Sequence, residues 1–137
     1  MKKMFLYLLS ILIILFISLS VFASSTRENQ KNIDFLNSFG WKVGNSPIEI
    51  SEITIPMDFD DVYDEYNIIQ NEAGFDLEEF KGKKGTRYTY KVLNYPKKEN
   101  EDIRANILIA EKKVIGGDIM SVKLDGFMHS LIFPEKS

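Results

Sequence analysis

The chain has 137 residues, no cysteine, one histidine and a formal net charge of −3. That balance excludes a disulfide scaffold and a cysteine-borne lipid anchor, and it disfavours nucleic acid as a partner. Residues 24–137 are the size of one compact domain with a real core, so without disulfides its stability rests on packing of Ile, Phe and Tyr side chains.

The first element is an export segment. Lys2 and Lys3 precede a run from Met4 to Phe22 free of charge, Gly and Pro, and Val21-Phe22-Ala23 puts small residues where a leader is cut. Residues 1–23 are therefore expected to be a signal peptide, with Ser24 as the mature start, or an N-terminal membrane anchor. About 19 apolar-dominated residues at ~1.5 Å each reach about 28 Å, nearly the hydrocarbon thickness of a bilayer. If uncleaved, the 4–22 segment contacts the membrane and holds Lys2 and Lys3 in the cytoplasm. Either way residues 24–137 are extracytoplasmic, secreted or anchored to the cell membrane.

Beyond a short polar tether, Ser25-x-x-Glu28 reads as a capping box, and Ile33, Leu36 and Phe39 share one helical face, which predicts a helix near Arg27 to Phe39 stopped by Gly40. Trp41 and Val43 alternate with polar neighbours before a turn at Gly44 to Pro47. Ile48, Ile50, Ile53 and Ile55 form a β-branched strand whose parity slips at Ser51-Glu52, predicting a bulge there. Asp58 is placed to cap a second helix in which Phe59, Val62, Tyr66 and Ile69 repeat, closed by Gly74. Phe75 to Lys84 reads as a turn packed on the core. Strand signals follow in Tyr88, Tyr90 and Val92, in Ile103 to Ile109 and in Val114 to Leu124; Asp125-Gly126 predicts a two-residue hairpin turn into a last short strand within Phe127 to Phe133. The expected fold is α+β, with two helices packed on one face of a four- to five-stranded, mainly antiparallel sheet; an all-β sandwich is the alternative.

Chemistry is sparse. His129, the only imidazole, cannot partner the adjacent Ser130 in a strand, because neighbouring side chains point to opposite faces; a distant serine is not specified. Asp58, Asp60, Asp61, Asp64 and Glu65 invite a calcium reading, but their spacing is not that of an EF-hand, and capping plus the helix dipole explains carboxylates at a helix start. Lys81, Lys83, Lys84 and Arg87 concentrate positive charge around Gly82 and Gly85, a candidate contact for an anionic polymer or lipid headgroup; the spacing is not a P-loop. Gly116-Gly117-Asp118 inside a strand pattern reads as a bulge or as a groove, bordered by Tyr88, Tyr90 and Tyr95, for a peptide or sugar. No catalytic residue, metal site or cofactor is indicated.

Several strings taken together resemble a known family: Asn32 to Trp41 (NIDFLNSFGW), Ile55-Pro56, Tyr66 to Gln70 (YNIIQ), Ala73 to Leu77 (AGFDL), Phe80 to Lys83 (FKGK), Arg87 to Tyr90 (RYTY), Ala105 to Leu108 (ANIL), Val114 to Asp118 (VIGGD) and Asp125 to His129 (DGFMH). They are similar to an uncharacterised exported domain family found chiefly in clostridial relatives, domain of unknown function 4830. The resemblance implies one exported segment followed by a single domain. It implies no activity and carries over no functional residue.

The expected function is an exported or membrane-tethered, non-enzymatic binding module at the cell surface. Its partner would be a cell-surface polymer, a peptide or a membrane protein. The alternatives are a small envelope hydrolase using His129 and a sensory or inhibitory ectodomain.

Overall fold

The structure is a computed structural model that describes residues 1–134. The chain divides into two compact units, Met1–Asn32 and the residues from Ile33 on. Helix α1 spans Lys2–Ser38, and it holds a stretch long and apolar enough to cross a membrane. Within that stretch the hydroxyls of Ser10, Ser18 and Ser20 donate to the carbonyls of Tyr7, Leu15 and Ile17, so these serines are satisfied inside the helix, as an apolar surrounding demands.

No helix begins at Ser25. The expected capping box lies inside α1, because nothing between Phe22 and Arg27 breaks a helix and the Thr26 hydroxyl donates back to the Phe22 carbonyl at 3.0 Å. The stop is where the sequence places it. Gly40 takes φ +94°, and the Trp41 N–H closes back onto the Leu36 carbonyl at 3.1 Å.

The second unit is built on an antiparallel sheet of five strands in sequential order: β1 (Glu49–Thr54), β2 (Lys84–Lys91), β3 (Ile103–Ala110), β4 (Lys113–Ser121) and β5 (Met128–His129). Helix α2 (Asp61–Glu72) and a single 3₁₀ turn, Leu77–Phe80, fill the connection between β1 and β2. Among the described residues the protein is thus α+β, with two α-helices and an open sheet, and the 75–84 stretch is the packed turn its sequence suggests.

Side-chain alternation divides the core. Ile103, Ala105 and Ile107 of β3 join Leu36, Trp41, Tyr90, Ile119 and Leu131 in one buried cluster. Leu108 and Ala110 join Ile55, Leu77, Phe80 and Ile115 in another, with Tyr63 and Tyr66 of α2 packed against it. Odd and even positions of one strand point to opposite faces, so the sheet is buried on both. The expectation of two helices on one face is corrected accordingly: the last turns of α1 contribute Leu36 to one cluster, and α2 contributes its tyrosines to the other.

Three local expectations also change. Strand β1 pairs with β2 in unbroken register from Glu49↔Thr89 to Thr54↔Lys84, without a bulge at Ser51-Glu52; the parity conflict is resolved by leaving Ile48 and Ile50 exposed, at 52% and 59%. Helix α2 is capped by Asp60, not Asp58, through a 2.8 Å bond from the Tyr63 N–H. The β4–β5 connection turns over Lys123 to Gly126, the Gly126 N–H donating to the Lys123 carbonyl, so Asp125-Gly126 are not its two central residues. The tight hairpin lies instead between β3 and β4, where Glu111 and Lys112 adopt φ +51° and +62°, the geometry of a two-residue turn matched to strand twist.

The bulge predicted around Gly116-Gly117 is present. Leu108 faces Gly116 and Ile109 faces Val114, leaving Ile115 as the extra residue.

Candidate functional site

The register that builds the sheet also sets Thr89, Asn106 and Asp118 side by side across β2, β3 and β4. All three are buried. The Thr89 hydroxyl donates to Asn106 Oδ1 at 2.7 Å, and Asn106 Nδ2 donates to Asp118 Oδ1 at 2.9 Å. From α2 the Tyr66 hydroxyl donates to Asp118 Oδ2 at 2.7 Å. Burial pushes the Asp118 carboxyl above the usual carboxylate range, while the bonds from Asn106 and Tyr66 and the charge of Arg87 pull it back. Burial, with the nearby carboxylate, pushes the Tyr66 hydroxyl far above the ordinary tyrosine range, so it stays a donor.

One turn further along α2, Gln70 is fully buried and its Oε1 accepts the Gly117 N–H at 2.7 Å. Strand β5 is only two residues long and pairs with Ile119 and Met120, so at Gly117 a side chain takes the place of a strand. A Cβ at Gly116 would strike Gln70 and Leu77, and one at Gly117 would strike Leu131. The space over both glycines is therefore filled, and Gly116, Gly117 and Asp118 lie inside the protein with no groove above them. Of the three tyrosines expected to border that groove, Tyr90 is fully buried, and Tyr95 stacks on Trp41 at 5.7 Å.

The basic residues are spread and mostly neutralised. Lys81 pairs with Glu78 at 3.6 Å and lies over the Phe59 ring at 4.5 Å, Lys83 pairs with Glu111 at 3.2 Å, and Arg87 pairs with Glu49 at 3.3 Å. Lys84 lines a shallow depression of ≈ 440 Å³ together with Glu52, Ile53, Thr54, Gly85 and Thr86. Three of the four cations, Lys81, Lys83 and Arg87, thus face carboxylates. In the acidic segment Asp60 serves as the helix cap, and no group of three or more His, Asp or Glu among the described residues is placed to hold a metal ion.

His129 sits in an aromatic cluster, its ring 5.6 Å from Phe127 and 5.7 Å from Tyr95. Its Nδ1 lies 2.7 Å from the Ser130 carbonyl, which can only accept, so Nδ1 carries the proton and Nε2 accepts from the Tyr95 hydroxyl at 3.0 Å. The lone pair that a general base would use is engaged by a phenol.

The residues that organise this interior, Tyr66, Asn67, Gln70 and Asn106, fall within the strings YNIIQ and ANIL that carry the family resemblance, but those strings assign them no role. For three of them the physical signal is a polar side chain at a position whose period is internal: Asn106 inside the apolar run of β3, Asn67 and Gln70 on the inner face of α2. Asn67 shows why such a side chain is used. Its Oδ1 accepts the Leu77 N–H at 2.8 Å and its Nδ2 donates to Asp76 at 2.9 Å, so one amide holds the start of the 3₁₀ turn.

No curated protein and no solved structure matches this chain. Residues 35–119, from the last turn of α1 to the Asp118 row, match a family model described as Domain of unknown function (DUF4830), and the chain belongs to that family.

Proposed function

We propose that this protein is a membrane-tethered extracytoplasmic domain that works by binding, with α1 retained as its anchor. The observation that carries the reading is the continuity of α1 from Lys2 to Ser38. Val21, Phe22 and Ala23 lie within that helix, and the Phe22 carbonyl accepts a second bond from the Thr26 hydroxyl. Cutting after Ala23 requires unwinding a helix that has neither Gly nor Pro at that point to weaken it. The lysines at its start and the apolar run behind them support an orientation with residues 1–3 in the cytoplasm and the sheet outside.

Binding is favoured over hydrolysis because both ring nitrogens of His129 are occupied, one by a carbonyl and one by a phenol. The partner classes that suit a tethered domain are a cell-surface polymer, a peptide or a neighbouring membrane protein. The test is fractionation of cells expressing the chain with a C-terminal epitope. The expected result is a full-length chain in alkali-washed membranes whose domain is digested by protease added outside the cell. A shortened chain starting at Ser24 and found in the medium would overturn the tether.

A further inference from the structure

The sheet has two edges, and they are treated differently. At the β4 edge β5 covers Ile119 and Met120, and Gln70 takes the Gly117 N–H. At the other edge β1 runs for six residues in unbroken register with no Pro and no bulge inside it; of the devices that blunt exposed edges it has only the charges of Glu49 and Glu52.

The phase of its hydrogen bonds says which groups are open. The Ile55 N–H donates to the Lys83 carbonyl at 2.9 Å, so in an antiparallel ladder Ile53, Ser51 and Glu49 also turn their backbone groups toward β2, and Ile50 and Glu52 turn theirs outward. The side chains of Ile50 and Glu52 share one face, two residues apart. Ile50 is 59% exposed, and among the described residues no ion pair holds Glu52, whereas Glu49 is paired with Arg87.

We infer that the β1 edge is a docking site for an extended peptide that adds a strand beside β1, placing an apolar side chain next to Ile50 and a basic one, two residues away, next to Glu52; this rests on the reading of the protein as a binding domain. Backbone pairing supplies affinity, and the alternate side chains supply selectivity. The charge argues for a basic partner strand and against a second copy of this chain, because the only charged side chains of β1 are Glu49 and Glu52 and like charges across a strand pair repel.

The experiment uses the full chain in detergent micelles and a fluorescein-labelled synthetic peptide of repeating Val-Thr-Lys-Thr, followed by fluorescence anisotropy. Saturable binding is expected. Replacing the probe's lysines by glutamates, or making Glu52→Lys, should weaken it about tenfold. Glu52→Pro removes an outward N–H without breaking the ladder to β2 and should abolish binding while leaving the circular dichroism and Trp41 fluorescence unchanged. Equal binding of both probes, binding that survives Glu52→Pro, or no binding of the lysine probe overturns the inference. So does concentration-dependent dimerisation that Glu52→Pro abolishes, which would give the edge to a second copy. Because the assay takes the purified chain whatever its cellular fate, a failed peptide site and a failed tether are read separately.

Discussion

Asp118→Asn is the substitution that probes the interior most directly. The side chain is 2% exposed and accepts one bond from Asn106 and one from Tyr66. Two hydrogen bonds to a charged group are worth about 1.5–3 kcal/mol each, while burying an ion costs several kcal/mol; burial prevails and the carboxyl is harder to ionise in the folded protein than in the unfolded chain. A carboxyl raised in this way contributes stability that is fully present below its unfolded value of about 4 and is lost as pH rises through its folded value. The introduced amide keeps an acceptor for Asn106, and its NH₂ meets the Tyr66 hydroxyl, which rotates to accept. Full-length wild type and variant should therefore be closest in stability near pH 4, and the variant should lead increasingly as pH rises toward 8. The measurement is urea unfolding in detergent micelles followed by Trp41 fluorescence at a series of pH values; carboxylates common to both proteins cancel in the difference. A difference that stays flat across the series, or that moves toward the wild type as pH rises, refutes the argument.

Two further substitutions test the contacts around that row. Gln70→Leu keeps the bulk but leaves the Gly117 N–H buried without its 2.7 Å acceptor, and should cost about 1–3 kcal/mol of stability, with faster hydrogen exchange at Gly117 as the local readout. Trp41→Phe removes the Nε1–H donated to the Leu131 carbonyl at 2.6 Å in a fully buried position; a loss of about 1–3 kcal/mol is expected, read by circular dichroism because Trp41 is the only tryptophan.

What could be read in advance follows from how local each signal is. Gly40 ends α1 where its φ of +94° requires a residue without a side chain, and the alternation of Tyr88 and Tyr90 and of Ile103, Ala105 and Ile107 marks strands whatever lies around them. The capping box at Ser25 failed because a cap acts only where a helix has to start, and the apolar run before it was already helical. The inner face of α2 was misread for a different reason. Periodicity finds apolar residues, and Val62, which fitted the period, is 74% exposed, while Gln70, which did not, is fully buried. A glutamine belongs there only because Gly117, 47 residues away in the chain, needs an acceptor, and nothing in the helix itself states that need.

The same reasoning explains why the basic and glycine-rich strings made poor guides to a site. Lys81, Lys83 and Arg87 look like a patch as long as Glu78, Glu111 and Glu49 are out of view, and Gly116-Gly117 looks like an opening until Gln70, Leu77 and Leu131 are seen to occupy it. The edge strand reverses the case. The four isoleucines of the β1 region suggested a correction that would bury them all, and the structure makes no such correction, leaving Ile50 and Glu52 outward with open backbone groups beside them. An exposed β-branched edge is a liability to a protein that has no use for it. Retaining one here, while β5 and Gln70 cover the opposite edge, is the asymmetry on which the proposed peptide site rests.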